Sequence, residues 1–320
     1  MTTPPMPDLY PPYEPYRVTR FATGDGHELY LEEAGNPAGV PVLFLHGGPG
    51  FTWSGHNRRF CDPGHWRFIG LDQRGAWRST PLGRLEGNST QALVADLEAI
   101  RVSLGIERWA VLGGSWGSAL ALAYALAHRE RCIGLVLWGI YLGLASENEF
   151  NYVTSRKLYP EAWHVLVDHL PAGERADVMG AYTRRILDPD PLVHLPALKA
   201  WLHHNWVTAN VKGVPAEFLR PEGSVEVLLA GARIALTYFT RGIFLAEGEL
   251  LERAHELGDL PGLVTHGRDD FVCPIENAYD LTRRWTGARY VPVEHAGHHP
   301  FEPGIAQALL EGMEALKARR

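Results

Sequence analysis

The chain has 320 residues, 46% of them hydrophobic and 21% charged, and 30 Lys and Arg against 37 Asp and Glu leave a net charge of −7. That balance belongs to a globular chain with ample material for a core. It gives no basic patch for a nucleic acid. The three cysteines, Cys61, Cys132 and Cys273, are too few, and odd in number, for a disulfide framework, so a reducing, cytoplasmic setting is expected.

The opening MTTPPMPDLYPPYEPY carries no basic n-region and no apolar h-region, so no signal peptide is read there, and its prolines predict an irregular surface arm. Short apolar runs then recur, each closed by turn residues: PVLFLHG (41–47), WRFIGLDQ (66–73), WAVLGGS (109–115) and CIGLVLWG (132–139). Continuous rather than alternating apolarity predicts strands buried on both faces, as in a parallel sheet. Between them Leu93, Leu97, Ile100 and Leu104 recur at helical spacing, with Asn88 or Ser89 as N-cap. From 141 to 257 the pattern turns helical and rich in Trp, Tyr and His, as in ERADVMGAYTRRIL and VEVLLAGARIALTYF. Strand signals return in GLVTHG (262–267) and ARYVPVEHAG (288–297), before a last helix, GIAQALLEGMEALKAR, and a short basic end, Lys317 to Arg320, expected as a solvated tail. The expected architecture is α/β, a doubly wound, mostly parallel sheet formed by 1–140 and 258–320, with an inserted helical cap at 141–257.

The run from Trp109 to His128 contains no Asp, Glu, Lys or Arg and is long enough to suggest a membrane span. A span does not begin with Gly-Gly-Ser-Trp-Gly, however, and no second span exists, so no membrane partner is expected. A strand entering a fully buried helix explains the same apolarity. Gly113-Gly114-Ser115-Trp116-Gly117 fits G-x-S-x-G in the context that motif requires, after a strand and before a helix. Serine needs a base, and the base an orienting acid. HGRDDF (266–271) offers Asp269 or Asp270, and EHAGHHPFEP (294–303) offers His295, His298 or His299, each after a strand end. LHGGPG (45–50) is a loop whose backbone N–H groups suit an oxyanion, which assigns Gly48 together with the N–H of Trp116. No phosphate-binding glycine pattern is present. The adjacent pairs His203-His204 and His298-His299 lack the i, i+4 spacing of metal ligands, so neither metal nor cofactor is expected.

HGGPG, DQRG (72–75), GGSWGSALALAYA and HGRDD with AGH together resemble the prolyl iminopeptidase family, serine peptidases of the α/β-hydrolase fold. The resemblance runs from LYLEEAGNPAG (29–39) to FEPG (301–304). It implies Ser115 as nucleophile, Asp270 as acid, His298 as base, Gly48 and Trp116 at the oxyanion, and a helical cap. The family's ring pocket corresponds to Tyr141, Phe239 and Cys273. Four positions depart from the family pattern. Trp77 stands at the second glycine of D-Q-R-G-x-G-x-S. Asn205 and Ala235 stand where the family places the two glutamates that hold the substrate's amine, and Trp138 stands where it places an arginine. Glu147, Glu149 and Glu226 are the candidates to replace those glutamates. A peptide with N-terminal proline or a small apolar residue is the substrate implied. A small uncharged ester or amide is the alternative, because function follows the site and not the fold. A non-catalytic module is disfavoured by the intact Ser, Asp and His set.

Overall fold

The computed structural model describes residues 5–209, 213–219 and 223–318. Residues 1–4 of the expected arm and residues 319–320 of the expected tail lie outside it. The strands are β1 (Pro15–Ala22), β2 (Glu28–Gly35), β3 (Val40–Leu45), β4 (Trp66–Leu71), β5 (Trp109–Ser115), β6 (Cys132–Ile140), β7 (Gly262–Gly267) and β8 (Ala288–Val293). They form one 8-stranded sheet in the order β1-β2-β4-β3-β5-β6-β7-β8. β1 pairs antiparallel with β2, and β2 antiparallel with β4; all other pairs are parallel.

The continuous apolar strands are buried on both faces, as their composition requires. All nine residues of β6 are buried. Leu43, Leu45, Leu135 and Leu137 face one core cluster, shared with α1 (Thr90–Ser103) and α2 (Trp116–Ala127). Val42, Phe44, Val136 and Trp138 face a second, shared with the C-terminal helix Pro303–Lys317. The apolar stretch at 109–128 is thus a central strand and helix, and no single described helix is long and apolar enough to cross a membrane. Ser89, not Asn88, caps α1, accepting from the Ala92 N–H. Asn88 instead donates to the Arg74 carbonyl and accepts from Tyr238.

The hairpin β1–β2 is the part that sequence reading missed. Glu32 and Glu33 look like surface residues but are buried in β2. Arg58 meets Glu32 at 2.8 Å, and Arg17 and Arg67 meet Glu33. Lys317 also departs from expectation: it is no solvated tail but lies 2.7 Å from both Asp62 and Glu314.

Between β6 and β7 run α3 (Ala145–Tyr152), α4 (Pro160–Asp168), α5 (Val178–Leu187), α6 (Pro191–Thr208), α7 (Val225–Thr240) and α8 (Glu249–Arg253); α9 (Glu276–Arg284) and α10 (Pro303–Lys317) follow. The cap has its own core around Tyr152, Leu166, Tyr182, Trp201 and Leu236. Leu250, Ala254 and Leu257 of α8 and the turn after it pack into the α1–α2 cluster, as do Ile234, Tyr238 and Ile243. At the front end, Tyr141 and Leu142 also belong to that cluster.

Arg74 ties three segments together. It makes a bidentate pair with Asp96 of α1 at 2.6 and 2.7 Å, and reaches Asp25 at 2.6 Å and the Gly87 carbonyl at 2.7 Å. Both Arg74 and Asp96 are buried. Replacing Arg74 by Ala strands the Asp96 carboxylate, and the expected loss of stability is about 3–5 kcal/mol, read by urea denaturation. A loss below about 1 kcal/mol would show that water reaches the pair.

Candidate active site

Ser115 ends β5 with φ 56 and ψ −133, and α2 begins at the next residue. A non-glycine residue in this conformation carries a strain of about 1–3 kcal/mol. Its neighbours show what holds it there. A Cβ on Gly117 would overlap the Leu45 carbonyl oxygen, one on Gly114 would overlap the Trp138 ring, and one on Gly113 would lie 2.6 Å from the Gly117 oxygen. The strand-to-helix crossing therefore closes only without side chains. It leaves the Ser115 hydroxyl at the C-terminal edge of the sheet, beside the positive end of α2.

Of the two candidate acids, Asp270 is the one brought to a histidine, and of the three candidate histidines, His298 meets it, with Nδ1 2.7 Å from Oδ2. His295 is exposed, and the Nδ1 of His299 accepts from the Phe301 N–H. The other Asp270 oxygen accepts from the N–H groups of Val272 and Cys273, both at 2.9 Å. His266, which sequence reading passed over, lies 3.2 Å from Oδ2 and is fully buried. Its Nδ1 accepts from the Ile140 N–H at 3.1 Å, so Nε2 carries the proton that faces Cys273 O and Asp270. Burial pushes the Asp270 carboxyl up, but His298 and His266 outweigh it and hold the group well below the usual carboxylate range. Gly139, at φ 52, lies beneath this pair, and a Cβ there would sit 2.9 Å from His298 Cε1. The loop carrying His298 is pinned on both sides by Glu302, which accepts from the N–H groups of Gly297 at 2.7 Å and His299 at 3.1 Å.

The glycine loop at 47–48 is held against the elbow by a polar chain. The Trp116 indole donates to Gln73 Oε1 at 2.7 Å, and Gln73 Nε2 donates to the His46 carbonyl at 3.0 Å. The Gln73 N–H meets His46 Nε2 at 3.1 Å, so the His46 proton sits on Nδ1 and faces Gly47 O at 2.8 Å. A Cβ on Gly47 would lie 3.0 Å from Ser115 Cβ, and Gly48 lines the same cavity as Ser115 and Trp116. The DQRG and HGGPG motifs had been read for their glycines; Gln73 and His46 supply the clamp.

That cavity, of about 1330 Å³, lies between the sheet edge and the cap. Ser115, His298, Trp138, Tyr141, Asn205, Phe239 and Cys273 all line it. Ala235 does not: it is fully buried in the cap core, behind the lining. Among the described residues the lining holds one carboxylate, Glu147. Its oxygens accept from the N–H groups of Leu142, at 3.1 Å, and Leu144, at 2.7 Å, and from Asn277 Nδ2. Burial raises its pKa to about 8. Glu147 is a brace for the chain entering the cap. Glu149 and Glu226 are exposed and outside the lining. Asn205 donates to Trp201 O at 2.9 Å and faces Tyr152 Oη at 3.5 Å. Trp77 lines the cavity with φ 47, in the left-handed region, at a strain cost of about 1–3 kcal/mol.

Residues 40–304 match the α/β hydrolase fold family. A proline iminopeptidase from Xanthomonas citri is 42% identical over 311 residues, spanning 97% of this chain and 99% of its own length. One from Arabidopsis thaliana is 39% identical over 313 residues, 97% of this chain and 82% of that protein. The chain belongs to the proline iminopeptidase family, and it is a hydrolase. Among solved structures, proline iminopeptidase from Mycobacterium smegmatis aligns with a TM-score of 0.58 at 21% identity, covering 93% of this chain and 99% of that one. An esterase from a Rhodococcus species aligns at 0.59 and 20%, covering 94% and 98%. At such identities the likeness is one of fold. Trp77, Trp138 and Asn205 all line the cavity.

Two outcomes follow from the geometry. Asp270→Asn removes the charge that holds His298 and is expected to lower kcat about 10⁴-fold, with the fold retained by circular dichroism; a loss under ten-fold would remove Asp270 from the site. Burial raises the Glu302 carboxyl from 4.5 to about 7. The native state therefore holds that proton where the unfolded chain has released it, and stability falls as pH rises from about 4.5 to 7. Glu302→Gln should flatten this fall, which is on the order of 2–3 kcal/mol, in urea titrations at pH 5 and 7.5. An unchanged slope would assign it to another group.

Proposed function

We propose that this hydrolase releases N-terminal proline, or a small apolar residue, from peptides through an acyl-enzyme, with Ser115, His298 and Asp270 as its catalytic residues. The observation that carries the reading is the 2.7 Å contact of His298 Nδ1 with Asp270, which leaves Nε2 for a hydroxyl, in a cavity where Ser115 stands on a strained elbow. The Ser115 Oγ attacks the acyl carbonyl as His298 takes its proton. The oxyanion is met by the N–H groups of Trp116 and Gly48. His298 returns the proton to the leaving amine, and a water then clears the ester by the same path reversed. Tyr141, Phe239 and Cys273 form the apolar seat for the ring, with Tyr141 and Phe239 edge to face at 5.8 Å. The named relatives support peptides as substrates. The odd, small set of cysteines supports a cytoplasmic setting.

One observation favours a second reading, hydrolysis of an uncharged small ester or amide. No lining carboxylate among the described residues is left open for an ammonium group, since Glu147 is saturated and Ala235 stands behind the wall. The test is a side-by-side assay on proline p-nitroanilide and p-nitrophenyl acetate, with Ser115→Ala as blank. Ser115-dependent release from the prolyl anilide is expected. Turnover of the ester alone would establish the second reading, and activity surviving in Ser115→Ala would overturn the site.

A further inference from the structure

Trp77 is a bulky residue held where glycine would be relaxed. The loop that carries it is over-determined by its neighbours. Arg78 donates from its backbone N–H and Nε to Asp72 Oδ2, at 3.1 and 2.6 Å, and from Nη2 to Oδ1 at 3.0 Å. The Ala76 N–H is bound to the Gln73 carbonyl at 3.0 Å, and the Gly83 N–H to the Gly75 carbonyl at 2.8 Å. With both flanks fixed, the positive φ of 47 at Trp77 sets where its indole goes. That place is the wall of the cavity, half-buried, with the six-membered ring against the cap at Gly223, where an added Cβ would lie 2.7 Å from Cζ3. A strained side chain kept in a substrate cavity, with no side-chain hydrogen bond among the described residues to account for it, points to a role in binding.

The sheet order places Trp77 relative to the reaction. Strand β4, whose following loop carries Trp77, and β3, which leads into Gly47 and Gly48, lie on one flank of β5. The loops after β6 and β7, with Tyr141 and Cys273, lie on the other flank. A substrate crossing Ser115 with its acyl residue on Tyr141 and Cys273 keeps its leaving nitrogen at His298, and the residue beyond that nitrogen extends toward the β3–β4 flank. The flank sorting rests on the reading given above. The cavity of about 1330 Å³ exceeds the roughly 300–1,000 Å³ of an ordinary small-ligand site, so it has room on both sides of the serine. Leu228, half-buried on α7, also lines it, 3.5 Å from the Cβ position of Gly223, which continues the Trp77 wall as an apolar surface.

We infer that Trp77 builds a leaving-group subsite that selects peptides with an aromatic or large apolar residue immediately after the scissile bond. The indole face supplies a stacking platform, and the left-handed backbone holds it in place before substrate arrives.

The test compares prolyl-phenylalanine amide with prolyl-glycine amide. Wild-type protein is expected to favour the phenylalanine amide in kcat/KM by about five-fold, the scale of one aromatic pair. Trp77→Gly should bring the ratio close to one, and Trp77→Phe should keep part of the preference. The ratio is taken on one preparation, so the folded fraction cancels. A wild-type ratio near one, or an unchanged ratio in Trp77→Gly, overturns the subsite. A second arm does not depend on proline: calorimetric binding of phenylalaninamide and glycinamide to the Ser115→Ala protein, with and without Trp77→Gly. Tighter phenylalaninamide binding that requires Trp77 upholds the subsite, even if neither proline amide is cleaved and the proline reading falls. Equal binding of the two amines overturns it.

Discussion

Everything at the active-site edge depends on one steric fact: β5, α2 and β3 meet so closely that no side chain fits at Gly113 or Gly117, and the Trp138 ring of β6 closes the space at Gly114. A methyl group at Gly117 would occupy the space of the Leu45 carbonyl. Because β3 cannot be pushed away, the glycine loop that follows it stays against Ser115. Because the turn is that sharp, Ser115 is driven into a conformation that it would not adopt alone. The apolar helix behind it is the other half of the same arrangement, since nine of its twelve residues are buried against the sheet.

The polar groups around this point act mainly as clamps. The Trp116–Gln73–His46 chain fixes the glycine loop, Glu302 fixes the segment carrying His298, and His266 and two backbone N–H groups fix Asp270. Each is buried, where an unmet hydrogen bond is expensive and a met one is geometrically exacting. The strained residues are carried by this rigidity. Two of them, Ser115 and Trp77, line the same cavity from the ends of β5 and β4, with β3 between. The cap side is different in character: its polar lining is largely amide and imidazole, and its one described carboxylate holds up the cap's own entrance.

Six of the eight strands lie where continuous apolar runs place them, and α1, α2, α7 and α10 follow the helical spacing. The two strands that escaped reading form the hairpin in which β1 is largely exposed and β2 buries two glutamates beside its apolar residues. Glu32 and Glu33 read as solvent-facing until Arg17, Arg58 and Arg67, distant in sequence, arrive beside them. At the site, Ser115 was legible because the G-x-S-x-G spacing encodes a local turn. Choosing between Asp269 and Asp270, or among three histidines, needed either the family pattern or the fold.

Local chemistry therefore determined the sheet's inner strands, the elbow and the residue types of a hydrolase, since each follows from neighbours within a few positions. Tertiary structure alone decided that Glu147 is spent as a brace, that Ala235 stands behind the cavity wall, and that Trp77 stands within it. These are relations between segments brought together by the winding of the sheet. No spacing along the chain records the distance between groups that meet only when it closes.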